Sequence, residues 1–525
     1  MSASVIRIGG AGSYASRDAL FPDASRMSYL LRFGFLGAQA LITIERTVRL
    51  TGRCAAVSCE IEPKAKGRPL RSILFERNTM TRSARQFALG AFLMQTGHHI
   101  AGWRHPDAQA DAGSNFRHYV ELARLAEAAK FDAVFLADSS AVRSTDLPSL
   151  ARTARSDFLD PVTLLAALAA VTERIGLIAT VSTSFHEPFN VARRFATLDQ
   201  ISGGRAGWNL VTSTSAAEAQ NFNRDALPEH AVRYERAAEF HDVVVGLWDS
   251  WEDDSFVRDK ESGIYLDADK VHVLNHRGKH FQVRGPLNVN RSPQGRPVVV
   301  QAGASEDGRA LAARTAEVIF VAHQTFDEAR AFYADIKGRL PAYGREPDDV
   351  KIMPGIFPVV GRTQAEAEEK FEALQSRVDP VVGVALLSTV IGGVDLSGHD
   401  VDGPIPELPE TNGPKSRQHL LVELARRDRL TIRQLYQRIA GARGHQQVIG
   451  TPASIADQLQ QWFEEGGADG FNIMAPWFPG GLAEFIDLVV PELRRRGLFR
   501  TEYTGRTLRE HLGLKRPEHA TATHG

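Results

Sequence analysis

The chain has 525 residues, of which 43% are hydrophobic and 24% are charged. This composition is typical of a globular enzyme and excludes a mostly disordered chain. Because 62 Lys and Arg residues nearly balance 63 Asp and Glu residues, the formal net charge is -1, which argues against nucleic acid or an anionic membrane surface as a partner.

The two cysteines, Cys54 and Cys59, both lie toward the N-terminus, so the rest of the sequence holds no disulfide framework and no cysteine-based zinc site. Arg32 interrupts the apolar stretch 29–44, which is shorter than the roughly 18 residues of a membrane helix. No clear signal-peptide cleavage site follows this stretch. We therefore expect a cytoplasmic protein that does not enter a membrane.

Residues 1–79 are arginine-rich, aperiodic and poor in helix or strand signals. They are predicted to be an extension, either disordered or translated from a misplaced start upstream of Met80.

From Phe87 onward, short apolar runs alternate with amphipathic stretches. Continuous apolar runs of this length are typical of buried parallel strands. The predicted strands are Phe87–Met94, Ala133–Ala137, Ile175–Val181, Ala206–Val211, Val298–Ala302, Val318–Ala322, Ile352–Val360 and Gly470–Ala475.

Helical spacing between these runs, as in His118–Lys130, and the helix-start pairs Asp160-Pro161 and Thr451-Pro452 complete the alternation. With a closing helix at Leu482–Leu493, the pattern predicts a (β/α)8 barrel, also called a TIM barrel, over residues 80–515. Residues 516–525 are a predicted tail. Two stretches exceed a minimal barrel and are predicted rim insertions: 249–296, with a possible hairpin, and 376–444, a Pro/Gly-rich loop followed by two helices.

Functional residues of such barrels follow the carboxyl ends of the strands. The candidates in these positions are Gln95, His98, His99, Asp138, Ser139, residues 182–186, Asn209, Ser213 and residues 303–308.

The segment QAGASEDGRAL, residues 301–311, predicts a phosphate site. Gly303, Ala304 and Gly308 let an anion approach backbone N–H groups, Ser305 adds a hydroxyl, and the following helix adds its N-terminal partial charge. An ordinary helix N-cap at Ser305 is the alternative.

The other candidates each have a purely structural alternative. His98 and His99 lack HxH or HExxH metal spacing, and either could be a hydrogen-bonded or surface residue, as could His186. Asp138 could simply cap the next segment. A buried Asn209 needs partners, and a ligand is one such partner.

His230 and Tyr234 share one face of a predicted helix, which could equally be a solvated face.

Five segments in order resemble the bacterial-luciferase superfamily, and within it the group of nitrilotriacetate monooxygenase, dibenzothiophene-sulfone monooxygenase and a pristinamycin synthase subunit. The segments are QTGHHIAGWRHP (95–106), FDAVFLADS (131–139), STSFHEPFNVARRFATLDQISGGRAGWNLVTS (182–213), HAVRYERAAEF (230–240) and RSPQGRPVVVQAGAS (291–305).

The resemblance implies a monooxygenase that takes FMN in reduced form (FMNH2) from a separate NAD(P)H:FMN reductase. It oxidises a small organic substrate with O2 through a flavin C4a-hydroperoxide, and it assembles as a homodimer or homotetramer. The implied substrate is an aminopolycarboxylate, a sulfone or an alkane. Family members begin near the first strand, which is why residues 1–79 are interpreted as extra.

Carried over residue by residue, the resemblance assigns Asp138, Thr183, Asn209, His230 and Tyr234 to the flavin and ribityl chain. It assigns Gly303, Ala304, Ser305 and Gly308 to the phosphate. His98 and His186 are the implied catalytic residues, no metal ligand is implied, and His445 is a further rim candidate. The alternatives are a non-catalytic flavin-binding protein or a deazaflavin-dependent oxidoreductase on the same barrel, and a metal-dependent barrel hydrolase.

Overall fold

A computed structural model describes residues 42–44, 59–61, 85–142, 146–391, 393–408, 422 and 425–519. The chain divides into two compact units, Met1–Met80 and Thr81–Gly525. In the first unit, Ile42–Ile44 pairs antiparallel with Cys59–Ile61, a pairing that the aperiodic sequence did not predict. The rest of the predicted extension and the end of the predicted tail lie outside the described residues.

The second unit contains eight parallel strands that close into a ring. They are β1 Ala88–Leu93, β2 Ala133–Leu136, β3 Gly176–Ser182, β4 Ala206–Val211, β5 Val298–Ala302, β6 Val318–Val321, β7 Lys351–Val360 and β8 Gly470–Ile473. Each strand pairs with the next, and β8 pairs with β1. The predicted (β/α)8 barrel is confirmed, and every predicted strand is present.

Helices lie between the strands. They are α1 Phe116–Ala128, α2 Leu147–Leu150, α3 Pro161–Ala169, α4 Pro188–Ser202, α5 Ala216–Asn221, α6 His230–Trp248, α7 Glu306–Thr315, α8 Phe326–Arg339, α9 Gln364–Gln375, α10 Pro380–Val390, α11 Ile432–Ala440, α12 Pro452–Glu464, α13 Gly480–Glu484, α14 Val490–Arg495 and α15 Leu508–His511.

Capping side chains mark the residues at which helices begin after the strands. Asp160 accepts a hydrogen bond from the Thr163 amide at 2.8 Å, and Thr451 accepts one from the Ser454 amide at 3.3 Å. A proline follows each of these caps, as the sequence predicted. None of the described helices has the length and apolarity needed to span a bilayer.

The barrel is closed at its amino end by the C-terminal segment. Leu508, Leu512 and Leu514 belong to the apolar cluster inside the ring, and the Leu508 amide donates to the Gly204 carbonyl at 3.0 Å. A Cβ at Gly176, the first residue of β3, would lie 2.4 Å from the Leu508 side chain. With this end filled, space for a ligand remains at the carboxyl end of the strands.

The two predicted insertions carry structure of their own. Residues 249–296 include a short hairpin, His276–Arg277 with Gln282–Val283. The segment predicted as a loop followed by two helices instead begins with α10, and α10 packs with α11 around the buried ring of Tyr436.

A further parallel strand, Gln446–Gly450, pairs with the second half of β7 and was not predicted. β7 has 10 residues against 4 in β6. Its carboxyl half therefore extends beyond the ring and offers an edge, which this half-polar segment occupies.

Candidate active site

A cleft of about 250 Å³ lies at the carboxyl end of the barrel. Six strands supply its lining, through Phe92 of β1, Phe135 of β2, Thr180 of β3, Asn209 of β4, Ala302 of β5 and Phe320 of β6. The volume is close to the lower end of the range for small-molecule sites, roughly 300–1,000 Å³. The cleft therefore lies at the end of the barrel where the sequence analysis expected functional residues.

Three phenylalanines form the apolar part of the cleft. Their ring centroids are 4.8 Å apart for Phe92 and Phe135, 5.4 Å for Phe92 and Phe320, and 5.5 Å for Phe135 and Phe320. Two of the three pairs meet edge to face, which is a favoured arrangement of aromatic rings. His445 stacks on Phe320 with 5.1 Å between centroids, so this predicted rim residue does reach the wall of the site.

Asn209 is 3% exposed and brings a buried amide to the cleft. Its Nδ2 donates to the Thr180 hydroxyl at 2.8 Å, which fixes the orientation of the side chain. No described residue donates to its Oδ1, although that atom is buried. Buried polar atoms without a partner are rare because they lose their hydration without compensation. Asn209 thus presents an acceptor that a ligand could satisfy.

Another part of the cleft lining is polar and partly acidic. Asp138 accepts from the Ser139 amide at 2.8 Å, and Glu218 accepts from the Ser139 hydroxyl and the Ser140 amide, both at 3.1 Å. Glu218 is itself buried. These contacts fix the loop that follows β2 in place beside the cleft.

A small cradle adjoins the cleft and is lined by Tyr234, Gly303 and Gly308. The cleft and the cradle share Val211, Thr212 and Ala302 in their linings, so they adjoin each other.

In the cradle, Ser305 caps α7 by accepting from the Gly308 amide at 3.2 Å, as the structural alternative predicted. A Cβ at Gly308 would lie 3.1 Å from the Ser305 hydroxyl oxygen and 3.2 Å from that of Tyr234. Glycine at this position therefore keeps the space beside the two hydroxyls open.

His98 is fully buried and does not line the cleft. Its Nε2 donates to the Phe92 carbonyl oxygen at 2.8 Å, and its Nδ1 accepts from Arg443 at 2.9 Å. Burial, with the Arg443 charge as the second cause, holds the pKa of His98 well below its usual value. His98 is therefore a neutral imidazole with both ring nitrogens hydrogen-bonded. It contacts the site through Phe92, which lines the cleft.

The loop that carries His98 is held closely against the chain after β8. Gly97 has a φ of +124°, and a Cβ there would lie 2.4 Å from the Pro476 carbonyl oxygen. Only glycine fits both constraints. Arg155 donates to the carbonyls of Gly97 and His98 at 2.8 and 3.1 Å, which fixes the loop from its other side.

Of the remaining predicted residues, Ser182 and Ser213 line the cleft, whereas Thr183, His186, His230, Ala304 and Ser305 line neither pocket. Thr183 is buried and donates to the Val211 carbonyl at 3.3 Å, and His186 packs beside Phe222 with 6.1 Å between centroids. Burial lowers the pKa of His186.

His230 is exposed, contacts Asp307 at 3.0 Å and lies 4.7 Å from the Tyr234 ring, centroid to centroid. Ala304 and Ser305 are exposed at the mouth of the cradle.

The sequence analysis missed several residues of the site. Glu218, Thr180 and Arg443 carry no motif, and each becomes visible only through a partner distant in sequence. The three phenylalanines have the pattern of ordinary core residues, because apolar side chains inside and at the mouth of a barrel follow the same periodicity.

The family model for luciferase-like monooxygenases matches residues 94–470. The chain belongs to this family. It is 51% identical over 440 residues to N-acetyl-S-(2-succino)cysteine monooxygenase of Bacillus subtilis, covering 83% of this chain and 99% of that protein. It is also 51% identical over 448 residues to nitrilotriacetate monooxygenase component A of Aminobacter aminovorans, covering 83% and 98%.

Among solved structures, riboflavin lyase with modified FMN and riboflavin aligns with a TM-score of 0.73, with 33% identity over 83% of this chain and 99% of that one. The predicted family and enzyme class are confirmed, and this luciferase-like protein is an oxygenating oxidoreductase.

Proposed function

We propose that this luciferase-like monooxygenase is the oxygenase component of a two-component system. It would take FMNH2 from a separate NAD(P)H:FMN reductase and use O2 to oxidise a small organic molecule. The observation that carries the proposal is the buried Oδ1 of Asn209, which has no donor among the described residues, in a cleft that adjoins a glycine-lined cradle. A planar ring with N–H donors and an attached phosphate suits that combination.

The residues present fit FMN on these grounds. Asn209 and Asp138 would contact the ring system, and Tyr234, Gly303, Ser305 and Gly308 would hold the phosphate at the amino end of α7. When bound, reduced FMN supplies the electrons that activate O2. Thr183, His230 and Ala304 are proposed as outer contacts of the same molecule.

The chain's own groups would control access and orientation. The phenylalanine cluster of Phe92, Phe135 and Phe320 keeps water away from one side of the cleft, while the Asp138 and Glu218 wall offers carboxylates on the other. His98 would position Phe92 through its bond to that carbonyl. His186 is the proposed polar group at the mouth of the cleft.

The substrate class is proposed from the two relatives named above. Both names describe molecules with several carboxylates, so a small polycarboxylate is the first candidate. The word "component" in the second name supports a separate reductase. We further propose that the protein is cytoplasmic and that it forms a homodimer or homotetramer. Light scattering on the purified chain would test the oligomeric state.

The test is oxygen uptake by the purified chain with FMN, NADH and a generic flavin reductase. We expect uptake to rise when N-acetyl-S-(2-succino)cysteine or nitrilotriacetate is added, with an oxygenated product by mass spectrometry. A sulfone and a long alkane serve as comparison substrates. Failure of the chain to bind FMN in either redox state would refute the proposal.

The roles of His98 and His186 are tested in the same assay with His98→Asn and His186→Asn. If they act on the reaction, the fraction of O2 released as hydrogen peroxide should rise in each variant while the FMN affinity changes little. Wild-type product yield and peroxide release in both variants would contradict these roles.

A further inference from the structure

A group of possible metal-ligating side chains lies where the insertion that follows α6 meets the C-terminal segment. Glu252, His272 and His519 each place one carboxylate oxygen or ring nitrogen within 4.8 Å of the other two. Among the described residues this is the one group of three His, Cys, Asp or Glu side chains with such spacing. None of the three lines the cleft or the cradle.

Two of these positions are held rigidly by the backbone. Trp251 and Val271 form an antiparallel bridge, and next to it the Glu252 amide donates to the Lys270 carbonyl at 3.1 Å and the His272 amide to the Ser250 carbonyl at 2.8 Å. Glu252 and His272 are therefore diagonal neighbours on one face of the paired backbone, and the Oε1 of Glu252 lies 2.7 Å from the Nε2 of His272.

The third position comes from the C-terminal segment, which is fixed by several contacts. Arg291 donates to the Pro517 carbonyl at 2.7 Å, and Arg516 binds Asp253 through two hydrogen bonds of 2.7 and 2.9 Å. His519 is only 7% exposed, and its ring lies 5.1 Å from that of His272, centroid to centroid.

The surroundings match those of a metal-binding histidine. The Nε2 of His519 donates to the Asp249 carbonyl at 2.8 Å, and such a bond to a backbone carbonyl is the usual outer contact that orients a metal-ligating imidazole. The two neighbouring carboxylates, Asp249 and Asp253, are both paired with arginines. Two imidazoles and one carboxylate form a set that suits zinc, with water as a fourth ligand.

We propose that Glu252, His272 and His519 bind one divalent transition-metal ion of the zinc class. The ion ties the C-terminal segment to the insertion. Because the three ligands come from two chain segments far apart in sequence, metal binding stabilises the folded form relative to the unfolded chain, in which the ligands are separated. The site is independent of the flavin cleft.

The test uses the untagged full-length chain, stripped with EDTA and dialysed. Titration with Zn²⁺ alone, followed calorimetrically, should give one ion per chain, and addition of Zn²⁺ should raise the thermal unfolding temperature. Co²⁺ in place of Zn²⁺ should produce visible absorption bands of a four- or five-coordinate ion. Absence of Zn²⁺ binding and of the Co²⁺ bands would overturn the proposal.

Three variants locate the site: E252Q, H272Q and H519Q. Each should raise the Zn²⁺ dissociation constant by about 100-fold or more, since losing even an outer contact of a ligand costs about 10- to 100-fold. The matched control is H276Q, in the same insertion, where His276 is bonded to Glu239 at 3.0 Å and lies outside the cluster. Wild-type affinity in all three variants, or an equal loss in H276Q, would overturn the assignment. The Co²⁺ spectrum of the wild type tests the site even if a variant fails to fold.

Discussion

Replacing Asn209 by leucine should change FMN binding and apoprotein stability in different directions. The substitution removes a buried oxygen that no described residue satisfies, which relieves about 1–3 kcal/mol of uncompensated desolvation. It also removes the 2.8 Å bond to the Thr180 hydroxyl, which is worth about 1 kcal/mol. The free energy of unfolding without flavin should therefore stay the same or rise by up to about 2 kcal/mol.

The effect of Asn209→Leu on FMN binding should be unfavourable. A flavin N–H that met the Asn209 oxygen would face leucine instead and would lose its acceptor in a buried site. The cost of about 1–3 kcal/mol corresponds to a dissociation constant about 5- to 150-fold higher. Urea unfolding of the flavin-free protein gives the first quantity, and titration of FMN followed by flavin fluorescence gives the second.

Ser250→Ala is the control because Ser250 is a buried polar residue with both partners present. Its hydroxyl donates to the Leu247 carbonyl and accepts from the Leu287 amide, at 2.8 and 2.9 Å. This variant should lose about 1–3 kcal/mol of stability with FMN affinity unchanged. If Asn209→Leu lost stability as Ser250→Ala does and bound FMN like the wild type, the reasoning about the unpartnered oxygen would be wrong.

Three further changes test other parts of the molecule. Gly308→Ala puts a methyl group 3.1 Å from the Ser305 hydroxyl. It should weaken FMN binding by about tenfold or more, a loss of roughly 1.4 kcal/mol in binding free energy. The control is Gly338→Ala, which has nothing within 4 Å of the new methyl and should leave FMN binding unchanged while adding about 0.5–1 kcal/mol of stability. Burial lowers the pKa of His99 to about 4 from 6.5, so the unfolded chain binds a proton that the folded chain excludes. Stability should fall by about 3 kcal/mol between pH 6.5 and 4 and stay constant above pH 6.5, and urea unfolding of His99→Gln across this range should show a shallower slope; an unchanged slope would refute the pKa argument. Arg205→Met removes the donors to four buried carbonyls and the Thr172 hydroxyl and should cost about 3–5 kcal/mol of unfolding free energy, whereas a loss below about 1 kcal/mol would show that these acceptors find other partners.

Local sequence patterns were enough to predict the strands and helix starts of the barrel. Buried parallel strands are apolar on both faces, so each appears as a continuous run such as 298–302, and each prediction depends only on residues adjacent in sequence. Helix starts such as Asp160-Pro161 are likewise local, because the cap accepts from an amide three residues ahead. Gly303 and Gly308 could be singled out for the same reason, because their spacing ahead of α7 is local, and both line the cradle.

Pairings between distant segments could not be predicted in this way. The strand Gln446–Gly450 is half-polar and forms only because β7 extends past its neighbour. Glu218 joins the cleft through a hydroxyl and an amide that are 79 and 78 residues away, respectively, and nothing in its local sequence signals this.

The sequence by itself determined the barrel, its open end and the residue types gathered there, because hydrophobic periodicity, caps and glycine spacing act over a few residues. Only the tertiary structure decided which groups face the cavity. The family resemblance implies a catalytic role for His98, and only the fold shows that Arg443, 345 residues away, and the Phe92 carbonyl engage its two nitrogens. The sequence marked Asn209 as a candidate because a buried amide needs partners, and only the fold shows that its oxygen lies buried in a residue lining the cleft, without a donor among the described residues. Hydrogen-bond satisfaction depends on every segment that packs around an atom, and those segments meet only when the chain has folded.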